Sequence, residues 1–388
     1  VTKGARLILL MVALFALAAC RSSGDVRDKD GSEPAELPDI QDPLPVQRKW
    51  SVSTGAGTDT SRPHFNLQTH EGLIWTADHK GQITAVDASS GRVERRFSTG
   101  LPLSGGPTLA GDNILVGTFD GHAVALDAKS GEVRWSTPLS SEVLSSPVLH
   151  DGMVVVRCID GRVFGLDMAD GKRVWVHDRS VPLLTLRGNS NPLARAGRVY
   201  IGYDDGQVTA LNVADGSTLW SQRISAPEGR TELDRLADID GPMQVVGSEL
   251  YAVNYQGRLA GLALESGRIM WVKDMSSATG VELRRTSLAV ADSEDRLWLV
   301  DRRNGATQWS TEKLLNRDLT RPVFLGALIA VADFEGYLHF VDSSSGEPVA
   351  RTRASKKAPA AAPLVVGDSL YLLDEDGRLS AWQIGDRR

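Results

Sequence analysis

Residues 120–135 read DGHAVALDAKSGEVRW, and the fold follows from how this stretch repeats along the chain. Asp120-Gly121 precedes an alternating run from His122 to Asp127, and a second alternating run ends on Trp135. Asp-Gly beside alternating runs marks a tight hairpin turn, because glycine adopts the positive φ that such a turn needs. The frame sets Asp127 six residues after Gly121, Gly131 four further on and Trp135 four beyond that. It recurs as Gly161, Asp167, Gly171, Trp175 and as Gly206, Asn212, Gly216, Trp220. It continues with Gly257, Gly267, Trp271 and with Asp301, Gly305, Trp309. Weaker copies are Gly81, Asp87, Gly91, with Arg95 in place of the tryptophan, and Gly336, Asp342, Gly346; a truncated copy holds Gly377. Eight copies at intervals of about 40 residues indicate a repeat architecture.

Each full copy predicts four short strands, at 107–110, 113–118, 122–127 and 132–137 in the second. These lengths suit the blade of a β-propeller. The last copy, 361–384, supplies only three strands, and the stretch around Trp50 supplies the fourth. The expected fold is therefore all-β: an eight-bladed β-propeller of four-stranded antiparallel blades, its last blade closed by the N-terminal strand. Such closure leaves no long exposed edge. The propeller is expected to span 48–388.

Upstream, Lys3 and Arg6 precede the apolar run 7–17, which ends in Ala18-Ala19-Cys20. A charged start, a short apolar stretch and small residues before a cleavage point describe a secretory signal over 1–19, too short for a membrane span. Leu17-Ala18-Ala19-Cys20 resembles the lipobox of bacterial lipoproteins, which implies acylation of Cys20. Arg21 at the next position implies, by that family's sorting rule, the periplasmic face of the outer membrane. Residues 21–47 hold seven acidic side chains, three basic ones and four prolines, so 20–47 reads as an acylated cysteine and a disordered tether.

The net charge of −6 becomes more negative without Lys3 and Arg6, and no basic stripe favours a nucleic-acid partner. Two cysteines, Cys20 and Cys158, cannot frame a disulfide scaffold, and Cys158 in the run 154–159 reads as a buried thiol. The seven histidines lack metal-ligand spacing. Arg351, Arg353, Lys356 and Lys357 read as a solvated basic loop, with contact to anionic lipid as the alternative.

Spacing between turn markers is regular except after the third and fourth copies, where intervals of 45 and 51 residues place insertions at 176–197 and 222–241. Both follow an outer strand, so both emerge on the face that carries the Asp-Gly turns. Long loops on a rigid scaffold are where function concentrates.

The frame Ala-x-Asp-x-x-x-Gly-x-x-x-Trp resembles the tryptophan docking motif of pyrroloquinoline quinone dehydrogenases. That likeness covers the blades alone: no adjacent-cysteine pair is present, and no segment resembles the cofactor site. No cofactor is expected, and a quinoprotein dehydrogenase stands as the alternative reading. The loop sequences Leu183-Leu-Thr-Leu-Arg-Gly-Asn-Ser190 and Glu232-Leu-Asp-Arg-Leu-Ala-Asp-Ile-Asp240, with the lipobox and eight repeats, resemble the BamB family of outer-membrane assembly lipoproteins. The resemblance implies a non-enzymatic scaffold whose two loops dock on the periplasmic domains of the BamA insertase through Leu184, Leu186, Arg187, Asp238 and Asp240. Unfolded outer-membrane protein clients are a further implied partner. Read from the residues alone, Arg187 could instead pair internally with Asp238 or Asp240, and a propeller adaptor for another partner is the third possibility.

Overall fold

The computed structural model describes residues 33–58, 64–179, 182, 184–185, 190–225, 231, 233 and 236–385. Among these, every regular element is a strand, and the strands form eight antiparallel sheets arranged as an eight-bladed propeller. In the second blade the strands are Leu103–Ala110, Asn113–Thr118, His122–Asp127 and Val133–Pro138, close to those expected from the repeat. Residues His64–Phe65 add a short fifth strand to this blade, parallel to its inner edge. In the eighth blade Val46–Ser53 pairs antiparallel with Arg378–Ile384, so strands from both ends of the chain close the ring.

The repeated residues explain how the blades cohere. In the turn after the third strand, Asp87, Asp127, Asp167, Asn212, Asp301 and Asp342 accept backbone N–H groups, as where Lys129 and Ser130 donate to Asp127 Oδ1 at 2.8 Å; the fifth blade has Ala263 there instead. The carboxyls of Asp87, Asp127, Asp301 and Asp342 are held below their usual pKa; that of Asp301 falls to about 2, chiefly through Arg303. The fourth strand slips register beside the Trp position in every blade, as between Val133 and Trp135. Such bulges re-aim a side chain, here toward the next blade. Trp175 Nε1 donates to the Val213 carbonyl at 2.8 Å, and a Cβ on Gly216 would fall 2.5 Å from the Trp175 ring. Trp50, Trp135, Trp220, Trp271 and Trp309 repeat this contact on Gly91, Gly171, Gly267, Gly305 and Gly346. Only a glycine fits under the ring.

Two seams differ. On the first blade Arg95 donates to the Ala128 carbonyl at 3.1 Å, while Phe97 covers Gly131. On the seventh, Ala350 stands in the Trp position, paired with Phe340. Its neighbour is the eighth blade, whose third and fourth strands, Arg378–Ile384 and Val46–Ser53, are not joined by a turn. Residues 35–45, read from the sequence as part of the tether, lie here. Ala35 N donates to Leu315 O, Leu44 N to Val349 O and Gly385 N to Pro45 O, each at 2.9 Å. Arg317 and Arg351 donate to the carbonyls of Ala35 and Pro38. Leu44 and Val46 pack on the cluster containing Ala350 and Trp382. Composition hid this because proline lacks an N–H and the segment's hydrogen-bond partners lie on distant blades. The signal, Cys20 and residues up to 32 lie outside the described residues.

Candidate functional site

The two insertions converge on one turn of the fourth blade, Tyr203-Asp204-Asp205. In five other blades the first position of this turn holds a carboxylate or amide that caps it: Asp78, Asn254, Asp292, Asp333 and Asp374 each accept the backbone N–H four residues on. Thr118 does so in the second blade. The third and fourth blades carry Cys158 and Tyr203 there instead, and neither offers that cap. These two blades flank the first insertion.

Other groups take over. Arg157, the last residue of the strand Met153–Arg157, is fully buried; it donates to Gly202 O at 2.7 Å and to Asp204 Oδ1 at 2.6 Å. Arg157 and Arg179 both stack on Tyr203, their guanidinium carbons 5.3 and 4.1 Å from the ring centroid. Arg179, at the start of the first insertion, also pairs with Asp205 at 2.7 Å. Burial pushes the Tyr203 phenol up to about 12, so it stays neutral. From the far end of the same insertion, Ser190 Oγ reaches Gly202 O at 3.3 Å.

The second insertion locks onto the same turn. Ile239 N donates to Tyr203 O at 3.2 Å, and the Ile239 side chain fills the space over Gly202 that a Cβ would occupy. Tyr255 N donates to the carbonyl of Asp238 at 2.9 Å. These contacts bring Asp204, Asp238 and Asp240 together, with one carboxylate oxygen from each within 4.8 Å of the others. Arg157 supplies the neighbouring positive charge. Burial first, then the charges of Asp238 and Asp204, hold the Asp240 carboxyl well above its usual range, and Arg157 acts the other way. Asp240 Oδ1 is buried without a hydrogen-bond partner among the described residues.

The residues singled out from the sequence thus fall into two kinds. Leu184 is 41% exposed on the first insertion. Asp238 is fully buried and Asp240 partly so, both against the hub and not out in solvent. Leu186 and Arg187 lie outside the described residues. Sequence reasoning missed Arg157, Arg179, Tyr203 and Asp204. The available signals were a charge inside the apolar run 154–159 and the departure of two turns from the capping pattern. Cys158 is a buried thiol, raised to about 11 mainly by burial.

A family model described as outer membrane protein assembly factor BamB matches residues 79–311, more than half of the chain. The chain belongs to the BamB family. It is 40% identical to the outer membrane protein assembly factor BamB of Alkalilimnicola ehrlichii over 98% of this chain and 97% of that one. With the BamB of Pseudomonas aeruginosa the identity is 39%, covering 96% and 98%. The crystal structure of BamB from Moraxella catarrhalis superposes with a TM-score of 0.79 at 29% identity, covering 87% of this chain and 99% of that one. A quinohemoprotein alcohol dehydrogenase from Pseudomonas putida shares the fold at a TM-score of 0.69 and 12% identity, covering 88% and 76%. That second likeness extends to the blades that BamB and the dehydrogenase have in common, and fold alone does not confer chemistry.

Proposed function

We propose that this member of the BamB family is a non-enzymatic, lipid-anchored scaffold of the outer-membrane β-barrel assembly complex. It docks on the periplasmic domains of BamA through the two inserted loops and so assists folding and insertion of outer-membrane proteins. Cys20 carries the lipid, on the periplasmic face of the outer membrane. The observation that carries the docking reading is the convergence of both insertions on one buried hub, with Leu184 of the first insertion exposed to solvent. An exposed apolar residue on an inserted loop is the composition of an interface anchor. In this reading Leu184, Leu186 and Arg187 touch the partner. Asp238 and Asp240 act from behind, fixing the second loop against Asp204 and Arg157.

Co-purification with BamA from membranes is the test. Leu184→Asp and Arg187→Glu are each expected to give folded, membrane-anchored protein that no longer retains BamA. Replacing one side of a charged contact commonly costs about 2–5 kcal/mol of binding. Either variant binding at the wild-type level removes that residue from the interface.

A further inference from the structure

A groove of about 530 Å³ lies where the seventh blade hands over to the eighth, lined by Arg48, Arg353, Lys356, Lys357 and Arg378 with only Asp374 and Asp376 as acids. Both acids are already engaged. Asp374 accepts the turn N–H groups of Asp376 and Arg378 and the Ser355 hydroxyl, and Asp376 faces Lys357 at 3.6 Å. Arg48, Arg353, Lys356 and Arg378 are all exposed, and none has a carboxylate partner among the described residues; Arg48 and Arg353 rest instead on the Trp382 and Tyr337 rings. Elsewhere on the molecule Arg162, Arg198, Arg223, Arg258, Arg296 and Arg303 find acids even at the surface. Four cations around one groove with no carboxylate among the described residues to neutralise them, in a chain of net charge −6, make a local field opposite in sign to the whole.

Position names the anion. Residues 355–357 follow an outer strand and 374–378 form a turn between second and third strands, so strand alternation puts the groove on the turn face. Ala35, hydrogen-bonded to Leu315 and Arg317 in the connection between the sixth and seventh blades, lies on that same face. Fifteen peptide steps from Cys20 to Ala35 span at most about 50 Å. We infer that this groove binds the headgroups of anionic phospholipid, holding the turn face of the seventh and eighth blades against the membrane that bears the anchor. The inference rests on Cys20 as the acylated residue, yet its test needs no acyl chain.

The mature full chain carrying Cys20→Ser is mixed with vesicles of phosphatidylglycerol and phosphatidylcholine in equal parts, or of phosphatidylcholine alone, and sedimented. Binding is expected to the first only, and to weaken as salt shortens the screening length. Arg353→Glu with Lys356→Glu should lower vesicle affinity at least about tenfold, and Lys356→Gln by a smaller factor. Arg268→Glu, an exposed and unpaired arginine on the opposite face, should leave it unchanged. No binding, equal binding to both vesicles, or indifference to the Arg353 and Lys356 changes overturns the inference. Complete displacement by millimolar inorganic phosphate reassigns the groove to the free anion, and loss of BamA with unchanged vesicle binding reassigns it to a protein. Failure of the anchor reading shows separately, as wild-type protein whose Cys20 carries no acyl chain by mass spectrometry.

Discussion

The outer rim and the inserted-loop face of this propeller are built by opposite means. At the rim one device is used again and again: a tryptophan laid on the glycine of the next blade, its indole N–H on a backbone carbonyl. At the hub of the two inserted loops nothing repeats. Arg157, Tyr203, Asp204, Asp238 and Asp240 each occur once in their roles, and their charges are desolvated together. A rim built from apolar area tolerates variation, because each seam contributes alone and adds to the sum. A buried charge cluster does not, since removing one member leaves the others uncompensated. The site sits where the repeat's own turn cap has been given up.

The sharpest break in this comparison comes from Arg157→Met. It leaves Asp204 buried beside Asp238 and Asp240 without the guanidinium, at an expected cost of about 4–5 kcal/mol in chemical denaturation. Trp175→Ala should cost less, about 3–4 kcal/mol by loss of the ring over Gly216, and should not perturb the loop face. Binding of BamA separates them further: a folded Trp175→Ala protein should retain it, and a folded Arg157→Met protein should not.

Deletion of residues 21–45 should lower stability by about 2–3 kcal/mol relative to deletion of 21–34. The longer cut removes the backbone bonds of Ala35, Leu44 and Pro45 and the acceptors of Arg317 and Arg351. Equal stability of the two would show that the seam between the seventh and eighth blades needs no filler. The smallest effect is expected of Asp240→Asn. A carboxyl whose pKa is raised on folding binds its proton more tightly in the native state, so stability falls as pH climbs from about 4, the unfolded value, toward the folded one. The amide removes that slope and should gain at most about 1 kcal/mol at neutral pH. Unfolding curves across this range check it; a variant with an unaltered pH slope would mean that Asp240 is ionised without penalty.

What could be read in the sequence follows the same division. Blade number, strand limits and the shared last blade were legible because Gly121, Asp127, Gly131 and Trp135 have counterparts that can be compared by eye. Leu184, Asp238 and Asp240 could be placed on insertions by spacing, but spacing carries no burial. Asp238 belongs to the interior because Tyr203 and Ile239 fold the loop back over Gly202, a contact between distant segments with no periodic signature. Residues 35–45 were misleading for a related reason: their partners are carbonyls and guanidinium groups some 280 to 340 positions away.

That separation also sets an order in time. Strands of the first seven blades pair with close neighbours in the chain and can form as the chain emerges, N-terminus first, into the compartment where it folds. Val46 faces Ile384, so the first strand made must remain without its mate until the last residues are delivered. The N-terminal segment is therefore both the earliest to appear and the latest to be satisfied. A chain cut short before Arg378 has its first seven blades complete and a first strand with no mate.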